Sequence, residues 1–260
     1  ESAPGSWTVI ADVALASFAG CERPEAVGAA LLDLHGEADT VLARHGIVGE
    51  TRTPDVEVVA GDGDTETVHH EHGTAYALDL SRVMFAPGNK AERAHMGAVA
   101  EADETVLDMF AGIGYFTLPM ARAGATVTAV EKNPEAFRYL SENAALNEVH
   151  DRVELFLGDC RDVVDERVAA DDPQFDRVVM GYYEATDYLD SALAAVAPGG
   201  VVHVHEATPE AELWDRPVRR IHEAADRADR EASFVGRRRV KSHSEGVWHV
   251  VLDVRVDGQD

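Results

Sequence analysis

The sequence predicts an α/β fold: a doubly wound parallel sheet ending in an antiparallel hairpin, preceded by a small α+β N-terminal domain. Three observations carry this. From about residue 104 strand-like and helix-like segments alternate, a glycine turn follows the first of those strands, and the last two strand-like runs are joined by a short turn. A length of 260 residues suits one large or two unequal domains.

Residues 1–80 are expected to form the first domain. The stretch WTVIADVALASF (7–18) alternates as a strand does. PEAVGAALLDLHG (24–36) has helical apolar spacing, with Pro24 in the first turn and Gly36 as a stop. VEVVAG, ETVHHEH and TAYALDL then read as three short strands, separated by GDGD and Gly73. In HHEH (69–72) alternation puts at most two imidazoles on one face, so an exposed strand is expected rather than a metal site. Residues 81–103 read as a connector, and residues 104–260 as the second domain. TVLDM, TVTAVE, VELFLGD, FDRVVMG and VVHVHE are five strands, interleaved with helical segments such as NPEAFRYLSENAALN and ATDYLDSALAAVA. After a helix near 217–230, ASFVGRRRVK and GVWHVVLDVRV form the closing hairpin. That ending fits a class I methyltransferase-like (Rossmann-like) sheet better than a dehydrogenase.

The formal net charge is −25, with only three lysines (Lys90, Lys132 and Lys241) against 20 arginines. Acid excess with lysine depletion points to a high-salt, halophilic cytoplasm. The regular apolar pattern excludes a disordered acidic chain. In about 1 M salt the Debye length is only roughly 3 Å, so the charge does not exclude an RNA partner. No apolar run reaches membrane-spanning length, and no basic region precedes an apolar one at the N-terminus; a soluble protein without an export signal is expected. Cys21 and Cys160 lack metal-ligand spacing, which suits a reducing compartment.

The chemistry concentrates at the strand ends. In VLDMFAGIGYF (106–116), Asp108 closes a strand and Gly112 and Gly114 shape a turn whose N–H groups, around Ala111 and Gly112, face a ligand. Glu131 ends the next strand, 23 residues on, and suits a ribose diol; Asp159 ends the third and suits an adenine amino group, with the Cys160 N–H beside it. Position 117 is Thr where a dinucleotide fingerprint has its third glycine, which favours S-adenosylmethionine (SAM) over NAD.

DMFAGIGYFTLP, AVEKNPEAFRYLSENAALN, GDCRDV, DRVVMGYY, HVHE, RP and GVWHVVLDV together resemble the archaeal tRNA wybutosine-synthesising aminocarboxypropyltransferases. That family is a sister of the tRNA guanine-37 N1-methyltransferases. The resemblance runs from roughly residue 40 to 256, and the first domain resembles the N-terminal region both families share. It implies transfer of the 3-amino-3-carboxypropyl group of SAM to 4-demethylwyosine at position 37 of tRNA(Phe), with methylthioadenosine leaving and no metal required. It also implies SAM contacts at Arg93, Glu131, Asp159 and Cys160. A family serine falls on Ala86, so only a backbone contact is implied there. Arg93 has a chemical rationale as well, since a guanidinium can clamp the donor carboxylate bidentately.

The loop after the fourth strand separates the sister families. Here it is Met180-Gly181-Tyr182-Tyr183, without the asparagine and proline of the methyltransferases, and either tyrosine can stack on a tricyclic base. No general base stands out; Glu206 and Tyr182 are the candidates for moving a proton. His203 and His205 share a strand face and are expected to be packed. Arg237, Arg238 and Arg239, near Lys241 and with Arg216, Arg219 and Arg220 upstream, are candidate contacts to tRNA phosphates. A monomer is expected. The competing readings are methyl transfer to guanine-37 and a non-catalytic SAM- or RNA-binding module, with a nicotinamide dehydrogenase more distant.

Overall fold

A computed structural model describes residues 4–172 and 174–258, and the chain divides into two units, Glu1–Pro87 and Gly88–Asp260. The first unit contains β1 (Trp7–Ile10), β2 (Val13–Ala16), α1 (Pro24–Leu34), β3 (Thr40–Val48), β4 (Thr53–Gly61), β5 (Glu66–Glu71) and β6 (Thr74–Asp79). A four-stranded sheet has the order β1-β2-β3-β4, and β5 pairs with β6 as a separate hairpin. Strands β2 and β3 are parallel, with α1 as their crossover. Leu31 packs with Ala14, Ala16, Ala38 and Val41 in this unit's core.

Two elements here differ from the sequence reading. The 7–18 run is not one strand. It folds back at Ala11 (φ 51°) so that Ile10 faces Val13, and the alternation hid the turn because no glycine, proline or asparagine marks it. Strand β3 escaped notice because its second half, Arg44 to Val48, is largely exposed and carries charge and a glycine. In the HHEH run, His69 lies 3.3 Å from Glu71 and edge-on to Phe85, while His70 and His72 are exposed.

The second unit contains α2 (Lys90–Val99), β7 (Thr105–Asp108), α3 (Thr117–Arg122), β8 (Thr126–Glu131), α4 (Pro134–Leu146), β9 (Val153–Leu157), α5 (Cys160–Ala169), β10 (Phe175–Met180), α6 (Leu189–Ala195), β11 (Val196–Pro209), α7 (Asp215–Arg227), β12 (Arg230–Ser244) and β13 (Val247–Gly258). Its seven-stranded sheet has the order β12-β13-β11-β10-β7-β8-β9. The strands from β9 to β11 are parallel, and β13 pairs antiparallel with both β11 and β12. The order reverses at β7, and ligands of such sheets bind beyond the carboxyl strand ends at this switch. Within the 81–103 segment, α2 packs on α3 in the second unit.

Local chemistry explains these elements. Asn133 caps α4 by accepting from Glu135 N (2.9 Å), with Pro134 in the first turn. In α7, Pro217, Ile221, Ala224 and Ala225 form the single buried stripe of an otherwise charged helix. That stripe closes a core containing Val178, Val202, Val204, Val250 and Leu252 on one sheet face. The opposite face carries a chain of buried polar groups: Arg177, His203, His205, Asp253 and Glu92. No helix among the described residues is long and apolar enough to cross a membrane.

Candidate active site

The glycine turn is fastened to the ends of β7 and β8. Gly112 and Gly114 adopt φ of 59° and 102°. A Cβ at Gly112 would sit 2.3 Å from the Tyr115 ring, so the turn both needs the left-handed backbone and lacks room for a side chain. Ala111 N donates to Val130 O (3.0 Å) and Gly112 N to Glu131 Oε2 (2.7 Å), so the expectation that these two N–H groups face a ligand is corrected: they fasten the turn to β8.

Glu131 is half-buried, and its Oε1 accepts from Asn133 N at 2.6 Å. Backbone donors thus orient both carboxylate oxygens, and each keeps a further lone pair. Burial raises its pKa, opposed by these N–H groups. A rigid, part-open carboxylate with two acceptor positions fits a ribose diol.

Asp108 lies behind the turn and has no exposed surface. Its Oδ2 accepts from the Thr117 hydroxyl (2.7 Å), and Oδ1 faces Phe110 N at 3.4 Å. Burial pushes its pKa up to about 6, with those two donors opposing. With both oxygens turned to donors of the chain itself, Asp108 holds the turn, and the expectation that it contacts the cofactor is corrected. The sequence reading missed its partner: Thr117 occupies the third-glycine position, and the hydroxyl that breaks the dinucleotide fingerprint is what satisfies Asp108.

Asp159 caps α5, accepting from Arg161 N at 3.0 Å. The Arg161 side chain also grips it, through Nε (2.9 Å) and Nη2 (2.6 Å), and Lys132 Nζ lies 3.7 Å away. The Arg161 hydrogen bonds hold the Asp159 carboxyl down at about 2. Oδ1 is filled by two Arg161 donors, and Oδ2, with one, keeps a lone pair for a further donor of the amino type. The Arg161 guanidinium lies 4.7 Å over the Tyr188 ring, a neighbour the sequence did not disclose. Cys160 is buried, and burial pushes its thiol up to about 12, so it is not poised as a nucleophile.

The tyrosines of the β10 loop point different ways. Tyr182 donates to Glu184 Oε2 at 2.5 Å and packs on Phe110 (5.2 Å between ring centroids) and Tyr188. Tyr183 lies edge-on to His243 (4.6 Å) and His249 (4.8 Å), with Lys241 Nζ 6.0 Å from its ring. Behind it, His249 Nε2 and His205 Nδ1 are 3.0 Å apart. Burial pushes their pKa values down to about 2 and 3, so this imidazole pair is neutral. Gly181 brings the loop against Phe116; a Cβ there would meet its ring at 2.8 Å.

Two further sequence expectations are corrected. Glu206 has no exposed surface, and its Oε1 is shared by Arg216 Nε (2.8 Å) and Arg220 Nη1 (3.1 Å). It anchors the first turns of α7, its charge being committed to those two guanidinium groups. The three consecutive arginines of β12, Arg237 to Arg239, do not act together, because consecutive strand residues face opposite ways. Arg237 and Arg239 are exposed and lie over Trp214 (5.2 Å) and Trp248 (4.4 Å), whereas Arg238 turns inward to Glu92 and Asp253. Arg93 is 1% exposed, so it is no solvated helix arginine. Ala86 is half-buried near the end of the first unit.

Comparison with known proteins agrees with this architecture. Residues 67–233 match the family model described as TRM5/TYW2 methyltransferase domain, and residues 1–65 match TYW2 N-terminal domain. The tRNA(Phe) (4-demethylwyosine(37)-C(7)) aminocarboxypropyltransferase of Pyrococcus horikoshii is 38% identical over 97% of this chain and 90% of its own length. The tRNA (guanine(37)-N(1))-methyltransferase Trm5b of Pyrococcus abyssi is 30% identical over 97% of this chain and 75% of its own. The crystal structure of M. jannaschii TYW2 in complex with AdoMet superposes with a TM-score of 0.76 at 31% identity, covering 98% of this chain and 100% of that one. With both family models matching along the chain, this protein belongs to the TRM5/TYW2 family.

Proposed function

We propose that this chain transfers the 3-amino-3-carboxypropyl group of SAM to 4-demethylwyosine at position 37 of tRNA(Phe), releasing methylthioadenosine. One observation carries the choice over methyl transfer: the β10 loop presents Gly181, Tyr182 and Tyr183 where the sister family has asparagine and proline. The relatives support the same choice, the aminocarboxypropyltransferase being 38% identical and the methyltransferase 30%.

SAM supplies a sulfonium whose attached methyl and methylene carbons both accept a nucleophile. The protein's task is to choose between them by orientation, and a misplacement of about 1 Å can cost on the order of a hundredfold in rate. Glu131 and the Gly112 turn fix the adenosine end, with Oδ2 of Asp159 and the Cys160 N–H receiving the base. Arg93, on α2, takes the donor carboxylate and directs the methylene at the acceptor carbon. Tyr183 stacks on the tricyclic base, held on edge by His249 and His243, while Tyr182 closes the donor side. The acceptor ring carbon bonds to the methylene, the carbon–sulfur electron pair returns to sulfur, and the ring carbon then loses its proton.

Arg237 and Arg239 carry exposed positive charge on an acidic chain and form no ion pair among the described residues, which suits phosphates of the anticodon region. In this reading the protein acts as a cytoplasmic monomer. The test uses precursor tRNA with SAM labelled separately in the methyl and carboxyl carbons. The carboxyl label is expected in the tRNA, together with released methylthioadenosine. Methyl label alone would establish methyl transfer instead, and no label in any precursor tRNA would favour a non-catalytic module.

A further inference from the structure

We propose that Arg238 is a positioning residue for Arg93 and acts through Glu92. The inference rests on the reading that Arg93 takes the donor carboxylate. Glu92 and Arg93 are consecutive on α2 and are 3% and 1% exposed. Arg238, 146 residues away on the edge strand β12, binds Glu92 bidentately: Nε donates to Oε2 at 2.6 Å and Nη2 donates to Oε1. Its Nη1 donates to Asp253.

From Asp253 the contacts return to the other end of the same helix. His203 Nε2 lies beside Arg177 Nη1, which can only donate, so the His203 proton is on Nδ1 and is given to Asp253 Oδ1 (2.6 Å). Arg177 pairs with Glu104 (2.8 Å) and donates to the carbonyl of Val99 (3.0 Å), the last residue of α2. One polar chain, Arg238–Asp253–His203–Arg177, therefore holds α2 at Glu92 and at Val99.

Apolar packing alone lets a helix roll slightly about its axis, because such contacts have little directionality. A planar fork on a carboxylate removes that freedom. Successive helical residues are about 100° apart around the axis, so fixing the direction of Glu92 fixes that of Arg93. Glu92 is thereby committed to Arg238 and belongs to the support of the site. Because Glu92 is buried, the pair is screened less by salt than a fully exposed ion pair is.

The readout is the affinity for SAM relative to methylthioadenosine, which lacks the aminocarboxypropyl arm, measured by calorimetry on the full chain. Arg93→Gln is expected to abolish the contribution of the carboxylate. Arg238→Met and Glu92→Gln are each expected to lower the SAM-to-methylthioadenosine ratio by about tenfold, leaving methylthioadenosine affinity unchanged. In the Arg93→Gln background, Arg238→Met should cause no further fall in the ratio, since both act on one interaction. An Arg93 effect with no effect of Arg238→Met or Glu92→Gln overturns the positioning role alone. Equal loss of both ligands in these two variants also overturns it, as the mark of general disruption. No effect of Arg93→Gln removes the carboxylate clamp and the positioning role with it. Should Arg238→Met fail to fold, the volume-conserving Glu92→Gln decides between these outcomes.

Discussion

Thr117→Val tests the account of the glycine turn at the point where the sequence motif departs from a dinucleotide fingerprint. The substitution conserves shape and removes one hydroxyl, which donates to the fully buried Asp108 at 2.7 Å. A hydrogen bond to a charged group contributes about 1.5–3 kcal/mol, so the ionised Asp108 left without it should cost about 2 kcal/mol at pH 8. For a neutral pair the figure is about 1 kcal/mol, which applies at pH 5, below the Asp108 value of about 6. The sign follows from linkage. Asp108 has a folded-state pKa above its unfolded value, so its contribution to stability falls as pH rises from about 4 to about 6. Losing the hydroxyl raises that pKa further, so the cost of the substitution grows with pH through and above 6. Urea denaturation at fixed salt, followed by fluorescence in a Trp7→Phe background, isolates the second unit because Trp214 and Trp248 both lie there. The corresponding fall in Tm at pH 8 is about 4–8 °C. A cost below about 0.5 kcal/mol at both pH values, or one equal at pH 5 and 8, would refute the assignment of Thr117 as the partner of a buried carboxylate.

Gly112→Ala should reduce SAM affinity by more than about tenfold while the fold survives, because the new methyl group meets Tyr115 at 2.3 Å in a left-handed backbone; unchanged affinity in a titration would count against the turn as the donor cradle. Replacing Arg237 and Arg239 together with alanine should lower the slope of log affinity for tRNA against log salt by about 2 and leave SAM binding intact, as read by filter binding across salt concentrations. A slope unchanged in that experiment would move the RNA contact away from the hairpin.

Much of this protein was legible in the sequence because its determinants are local. The alternation of β7, β8, β9, β10 and β11 with helices specified the parallel sheet, since each segment's apolar period fixes its own geometry. Gly112, Glu131 and Asp159 were placed together from the sequence because strand ends of a doubly wound sheet converge on one edge whatever the loops do. The motifs around the turn and the GYY loop identified the family for the same reason, being short and contiguous. What escaped were the partners that residues find across the chain. The turn at Ala11 and the strand Thr40–Val48 depend on pairing rather than pattern. Three adjacent arginines look alike in sequence, but the sheet turns Arg237 and Arg239 outward and Arg238 into the Glu92–Asp253 pair. Glu206 looked like a strand-end acid and proved to be the counter-ion of Arg216 and Arg220. The sequence by itself thus determined the fold class and the family. Only the tertiary structure decided which charges stay exposed and which are spent holding the frame, because a charge acquires its role from burial and from partners that chain order does not reveal.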